Sequence, residues 1–195
     1  MRKKGLIRKF IYLILFAAAI FGFILISKKY ETNSEVKEIV ISDYYANLND
    51  QQYTVVGGTK LINLLQNGKH IIIIGSNKSD WSKYYVEEVD KAIKTFNIKT
   101  VYHYDINNDK AQKNSNYYAI KELLKDSLIT TDGSDSNLLA PSLYIVKDGK
   151  VLYYNIDTVA MKNIDTPKKY WTTEEKLEFN TEITNAILKY YLNNK

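Results

Sequence analysis

The segment Ala140-Pro-Ser-Leu-Tyr-Ile-Val-Lys-Asp-Gly-Lys-Val-Leu-Tyr153 contains two runs rich in β-branched and aromatic residues, joined by Lys147-Asp-Gly149. Asp-Gly between two such runs is a strong hairpin signal, because both positions of the tightest hairpin turn need positive φ angles. The segment therefore predicts two antiparallel strands, over residues 142–146 and 150–154, with Pro141 directly before the first.

A second segment, Ile71-Ile-Ile-Ile-Gly-Ser-Asn-Lys-Ser79-Asp-Trp-Ser82, predicts a strand, a loop and the start of a helix. A continuous β-branched run suits a central strand that is buried on both faces. The helix after Ser79 has apolar residues at helical spacing, namely Val86, Val89, Ile93 and Phe96. From residue 53 onward the predicted order is β-α-β-α-β-α-β-β-α, which indicates a three-layer α/β/α domain with a mixed sheet.

Two other stretches carry local signals. Residues 105–116 are polar and predict a loop, within which Asp105-x-Asn107-x-Asp109 imitates the opening of a calcium-binding loop. Lys110 stands where such a loop needs Gly, so a solvated loop is the favoured interpretation. Thr172-Thr-Glu-Glu175 matches a capping box and predicts the start of the last helix.

The element order and the two quoted segments together resemble the thioredoxin-like superfamily over residues 53–195. Ser79 and Ser82 stand at the two cysteine positions of its Cys-x-x-Cys motif. Pro141 matches a proline that is cis in the family and lies against the active-site loop. The most similar subgroup is the membrane-anchored thioredoxin-like proteins that include bacteriocin transport accessory proteins. The structural alternatives are helix N-capping by Ser79 and Asp80, and a trans proline that opens a strand.

The departure from the family concerns its chemistry. The chain has no Cys, and thiol–disulfide exchange requires a thiolate, for which a serine hydroxyl is no substitute. The buried carboxylate that the family tends to carry on the preceding strand is also missing from the Ile71–Ile74 run. The resemblance therefore implies a redox-inactive member.

The resemblance still implies that the domain can bind an extended peptide. In thioredoxins the backbone beside the cis proline pairs with an extended peptide, in the manner of strand addition. Here Ala140, Pro141 and Ser142 would supply that edge. Trp81 would add an apolar contact, or else belong to the packing surface.

The N-terminus carries a different signal. Residues 10–26 form an uncharged run of 17 residues, at the short end of what crosses a bilayer as a helix. Five cations precede the run and only Lys28 and Lys29 follow it, which places the N-terminus in the cytoplasm and the rest outside. A cleaved signal peptide remains open, whereas a buried core helix does not fit so uniform a run beside basic residues. A lipoprotein signal is excluded because there is no Cys.

These patterns predict three regions. Residues 1–29 would be a cytoplasmic basic tip and transmembrane signal-anchor, residues 30–52 a spacer, and residues 53–195 an extracytoplasmic thioredoxin-like domain. The net charge of +5 belongs to the first region, because residues 1–30 hold seven of the 27 cations and no acids. The rest of the chain has 20 cations and 22 acids and is therefore slightly acidic. Nucleic acid is for that reason not an expected partner.

Neither a cofactor nor a metal is expected. His70 and His103 are the only histidines, and two isolated histidines without a clustered carboxylate make a poor metal site. Nothing in the sequence places either of them beside a serine, so a hydrolase triad has no support.

The leading hypothesis is a redox-inactive binding or accessory module that holds an extended segment of an exported protein or a membrane partner. The first alternative is a relative of the thiol–disulfide oxidoreductases that serves a redox or bacteriocin export pathway. The second alternative is a structural subunit of a secretion apparatus.

Overall fold

A computed structural model of the chain describes residues 39–129, 137–156 and 166–193. The predicted membrane-spanning run at residues 10–26 lies outside these residues, as does the first part of the predicted spacer. Within the described ranges, the helices are all too short or too polar to span a membrane.

The elements follow the predicted order. The strands are β1 (Tyr53–Val55), β2 (Lys69–Gly75), β3 (Val101–Asp105), β4 (Ser142–Lys147) and β5 (Lys150–Ile156). The helices are α1 (Gly58–Gln66), α2 (Asp80–Thr95), α3 (Asn107–Gln112), α4 (Ser115–Leu123), α5 (Pro167–Tyr170) and α6 (Thr173–Ala186). A π-helical turn over Ile187–Leu192 continues α6, and short 3-10 turns lie at Ile41–Asp43 and Lys125–Ser127.

The five strands form one mixed sheet in the order β1-β3-β2-β4-β5. β1, β3 and β2 are parallel to each other, whereas β4 pairs antiparallel with both β2 and β5. The predicted hairpin is confirmed, and its turn residues Asp148 and Gly149 have φ angles of 46° and 80°. This is the mixed α/β arrangement that the thioredoxin resemblance implies.

Each face of the sheet covers a separate hydrophobic core. Alternate residues of β2 point to opposite faces, so Ile71 and Ile73 belong to one core while Ile72 and Ile74 belong to the other. The first core includes residues of α2, α6 and the π-helical turn, and the second includes residues of α1 and α4. All four isoleucines are fully buried, as the sequence predicts for a central strand.

The segment before β1 is part of this architecture. Residues 39–52 fall within the predicted spacer, yet Ile41, Tyr45 and Leu48 are buried in the first core. The compact unit accordingly begins at Ile39. The predicted domain boundary at residue 53 therefore excludes a segment, residues 39–52, that packs into the first core.

Two local predictions differ from the structure. The stretch at 105–116, predicted to be a loop, contains helix α3 and a left-handed Lys113 that ends it. From the sequence, Thr59 is a candidate N-cap for the helix that follows β1, but the N-cap of α1 is Gly57 and Thr59 lies inside that helix. The N-cap of α6 is Thr172, whose hydroxyl accepts a hydrogen bond from the backbone N–H of Glu175 at 3.3 Å, as predicted.

Candidate functional site

Strand register brings the two quoted segments to the same end of the sheet. Ile74 of β2 pairs with Ser142 of β4. The chain leaves β2 after Gly75 and enters β4 through Pro141, so the loop at residues 76–79 and the Ala140–Pro141 segment are neighbours at this edge. The Ala140–Pro141 peptide bond is cis, as the resemblance implies.

Ser79 caps the helix that follows the loop. Its hydroxyl accepts from the backbone N–H of Ser82 at 3.5 Å, which satisfies one of the orphan amides at the start of α2. The side chain is half-buried. The capping role proposed as the structural alternative for Ser79 is therefore present, whatever else the loop does.

Ser82 is fully buried and stabilises the loop by a hydrogen bond. Its hydroxyl oxygen accepts from the backbone N–H of Ser76 at 3.0 Å. A hydroxyl that is excluded from solvent and holds its own loop is not placed to attack a substrate. In this structure Ser82 therefore supports its own loop rather than acting as a nucleophile.

A buried pair of polar side chains lies beneath this loop. The Tyr45 hydroxyl and the Nε2 atom of His103 are 3.1 Å apart and hydrogen-bonded. Gly75 makes room for the pair, because a Cβ atom there would lie 2.6 Å from His103 Nε2 and 2.7 Å from the Tyr45 oxygen. The end of β2 therefore packs directly against the hydrogen-bonded Tyr45–His103 pair.

Burial keeps both rings of this pair uncharged at neutral pH. Burial lowers the pKa of His103 to about 3, because the charged imidazolium loses its hydration. The pKa of Tyr45 is raised well above its ordinary value, first by burial and then by the nearby Asp105 and Tyr44. Neither side chain is poised for acid–base chemistry near pH 7.

The exposed side of the loop is held by Asn107. Its Oδ1 atom accepts from the Ser76 hydroxyl at 2.9 Å, and its Nδ2 atom donates to Asn77 Oδ1 at 2.9 Å. Its own backbone N–H donates to Asp105 Oδ1 at 2.9 Å. These contacts tie the loop to the start of α3, so the loop is fixed from both sides.

Trp81 stands in the first turn of α2 and is half-buried. Its ring packs against Tyr170 of α5, with 6.0 Å between ring centroids, and Tyr170 in turn meets Trp171 edge-on at 4.9 Å. One part of the Trp81 ring therefore belongs to an aromatic cluster. The remaining part is accessible to solvent beside the loop.

Ala140 has an unpaired backbone within the described part of the chain. No hydrogen bond to its N–H or C=O is present there. Ser142, two residues further on, is by contrast engaged. It is fully buried, and its hydroxyl donates to the carbonyl of Leu139 at 2.9 Å. Pro141 is buried and Ala140 half-buried. Of the three residues predicted to form a binding edge, Ala140 offers the free backbone groups and Ser142 braces the turn behind it.

The carboxylates of the calcium-like stretch are engaged elsewhere. Asp109 accepts from the Tyr104 hydroxyl at 2.7 Å and from Asn114 Nδ2 at 2.8 Å. Across the described residues, no three His, Asp or Glu side chains are grouped so as to hold a metal ion.

Sequence reasoning found one half of this site and missed the other. The Ser79–Ser82 loop and the Ala140–Ser142 segment come together as the resemblance implies. Tyr45 carried no signal, because it lies in the predicted spacer. His103 was noted only as an isolated histidine, although its place opposite Ile73 in the parallel register follows once the strand order is known.

Comparison with known proteins gives structural neighbours of low similarity. No family model matches the sequence, and neither does any curated protein. One neighbour is mitochondrial thioredoxin 3 of Saccharomyces cerevisiae, with 17% identity, 56% of this chain and 90% of that chain covered, and a TM-score of 0.33. Another comes from the complex of ferredoxin:thioredoxin reductase and thioredoxin f2, with 16% identity, 57% and 94% coverage and a TM-score of 0.37. Plasmodium falciparum thioredoxin matches with 15% identity, 55% and 91% coverage and a TM-score of 0.33. At this level of similarity the description of the fold rests on the strand order and register of the chain itself.

Proposed function

We propose that this chain is a redox-inactive, thioredoxin-like binding or accessory module that holds an extended segment of an exported protein. The observation that carries the proposal is the unpaired backbone of Ala140, at the entry to β4 and beside the Ser76–Ser82 loop. An extended segment that lies along this edge gains main-chain hydrogen bonds, as in other cases of strand addition.

The site offers recognition without reactivity. The chain contains no Cys, and the two serines of the loop are occupied in holding it. The accessible part of the Trp81 ring provides an apolar surface for one side chain of the bound segment, since aromatic rings contribute strongly to interfaces at low entropic cost. Main-chain pairing at Ala140 and ring contact at Trp81 together define a short binding edge.

The membrane location is part of the proposal and rests on the sequence. The uncharged run at residues 10–26, preceded by five cations, would hold the chain in the cytoplasmic membrane with the domain outside. Residues 30–38 of the predicted spacer would then link the anchor to the unit that begins at Ile39. A binding module so placed would meet proteins as they leave the membrane.

Site-specific photocrosslinking in intact cells tests this function. A photoreactive residue in place of Lys83, which shares the first turn of α2 with Trp81, should capture a discrete protein, because it lies near the proposed edge and leaves Trp81 intact. The matched control is the same residue in place of Tyr118, which is 54% exposed on α4, on the other face of the sheet. Absence of an adduct at position 83, or the same adducts at both positions, would count against the proposal.

A further inference from the structure

The surface around Trp81 carries an excess of positive charge. The loop at residues 76–79 and the first turn of α2 contain the exposed Lys78 and Lys83 against the single exposed carboxylate of Asp80. Helix α5, whose Tyr170 touches Trp81, adds the exposed Lys168 and Lys169 with no acid. This local excess stands out because acids outnumber cations, 22 to 20, beyond residue 30.

Three of these lysines have no partner of their own. The side chains of Lys78, Lys83 and Lys168 make no ion pair or hydrogen bond within the described residues. Some lysines elsewhere do have carboxylate partners: Lys91 pairs with Glu88, Lys94 with Asp90, and Lys125 with Glu122. The charges near Trp81 are therefore available to something outside the described chain.

These charges surround the proposed binding edge from two sides. Lys78 and Lys83 belong to the loop and helix start that adjoin Ala140. Lys168 lies two residues before Tyr170, whose ring centroid is 6.0 Å from that of Trp81. The N-terminus of the 16-residue helix α2 adds the positive end of its dipole to the same region. Clustered charge of one sign both selects a partner of opposite sign and speeds its association.

We propose that the segment bound at this edge is acidic, with carboxylates on both sides of an apolar residue that contacts Trp81. This inference rests on the proposed function and adds the chemical class of the ligand. Lys78, Lys83 and Lys168 are its specificity-determining residues. Within the described residues, the carboxylates of Asp80 and Asp105 at this end of the sheet are like charges that the ligand must avoid.

The experiment compares three fluorescein-labelled synthetic peptides that share a Phe-Leu centre and differ only in flanks of Glu, Gln or Lys. Fluorescence anisotropy with the full-length protein gives a Kd for each. The Glu peptide should bind about threefold to tenfold more tightly than the Gln peptide, and the Lys peptide more weakly than both, because each exposed charge pair contributes modestly. The difference should shrink at high salt, where exposed charges are screened.

Two charge-matched triple variants separate the proposed surface from net charge. Lys78→Gln/Lys83→Gln/Lys168→Gln should abolish the preference for the Glu peptide while the Gln peptide binds as before. Lys60→Gln/Lys99→Gln/Lys150→Gln changes three exposed lysines elsewhere and should leave the preference intact.

The outcomes distinguish this inference from the function beneath it. Equal binding of the Glu and Gln peptides, or loss of the preference in both triple variants, overturns the acidic ligand and leaves the binding edge standing. If none of the three peptides binds, the acidic ligand and the proposed edge both fail.

Discussion

Replacing Ile73 with Ala is expected to lower the free energy of unfolding by about 2 to 5 kcal/mol, the range for large-to-small changes in cores. Ile73 is fully buried in the central strand and lies between His103 of β3 and Leu143 of β4. Neighbouring strands on both sides restrict collapse around the cavity. The loss should therefore fall in the upper part of that range.

Urea denaturation of the full-length protein measures this effect, with Leu177→Ala as the control. Leu177 is 69% exposed on α6, so its truncation removes little buried area and should change stability by less than about 0.5 kcal/mol. If the two variants unfold at similar urea concentrations, Ile73 is not at the centre of the sheet.

Acid is expected to destabilise the protein through His103. The pKa of this histidine is about 3 in the folded state, because of burial, and about 6.5 in an unfolded chain. Above pH 6.5 the ring is neutral in both states and its contribution to stability is complete. As pH falls below that value the unfolded chain takes up the proton first, so stability is lost by roughly 1.4 kcal/mol per pH unit until the folded state is protonated as well.

Denaturation curves across this pH window, for the wild type and two variants, isolate that contribution. His103→Gln removes the titrating ring, so the stability of the wild type relative to this variant should fall as pH falls from about 6.5 to about 4.5. His70→Gln, which changes the half-buried second histidine, should follow the pH dependence of the wild type. Parallel curves for the wild type and His103→Gln would exclude His103 as the source.

The fold was predictable because its signals are local. The Asp148-Gly149 turn, the uninterrupted isoleucine run of β2 and the helical spacing after Ser79 each specify an element without knowledge of the rest. Strand pairing then follows from the short hairpin and the longer crossovers. Even the N-cap of α6 at Thr172 was visible in the sequence.

The missed features depend on tertiary contacts. Residues 39–52 form only a short 3-10 turn and other turns, so no regular element marks them in the sequence, and their burial becomes evident only when Ile41 and Tyr45 meet the sheet. Helix α3 arises in a polar stretch where Asn107 and Asp109 find partners in the loop and in β3. Propensity alone favours a loop there, and the contacts override it.

In the candidate site too, the local features were predictable and the tertiary contacts were not. The sequence identified Ser79, Ser82 and the Ala140–Ser142 segment through the resemblance, and it weighed capping as the alternative for Ser79. It did not predict that Gly75 at the end of β2 would pack against Tyr45 and His103, because these residues come from three separated parts of the sequence. Nor did it connect Trp81 with Tyr170, because α5 lies far from α2 along the chain.

NMR-detected hydrogen exchange at the Ala140 amide tests the central claim most directly. In the free full-length protein this amide should exchange readily, because it has no partner within the described residues. Saturation with the tightest-binding of the three peptides should slow its exchange, with little change at the distant amide of Tyr118. Unchanged exchange at Ala140 while a peptide is bound, with new protection elsewhere, would contradict a binding edge beside the Ser79–Ser82 loop.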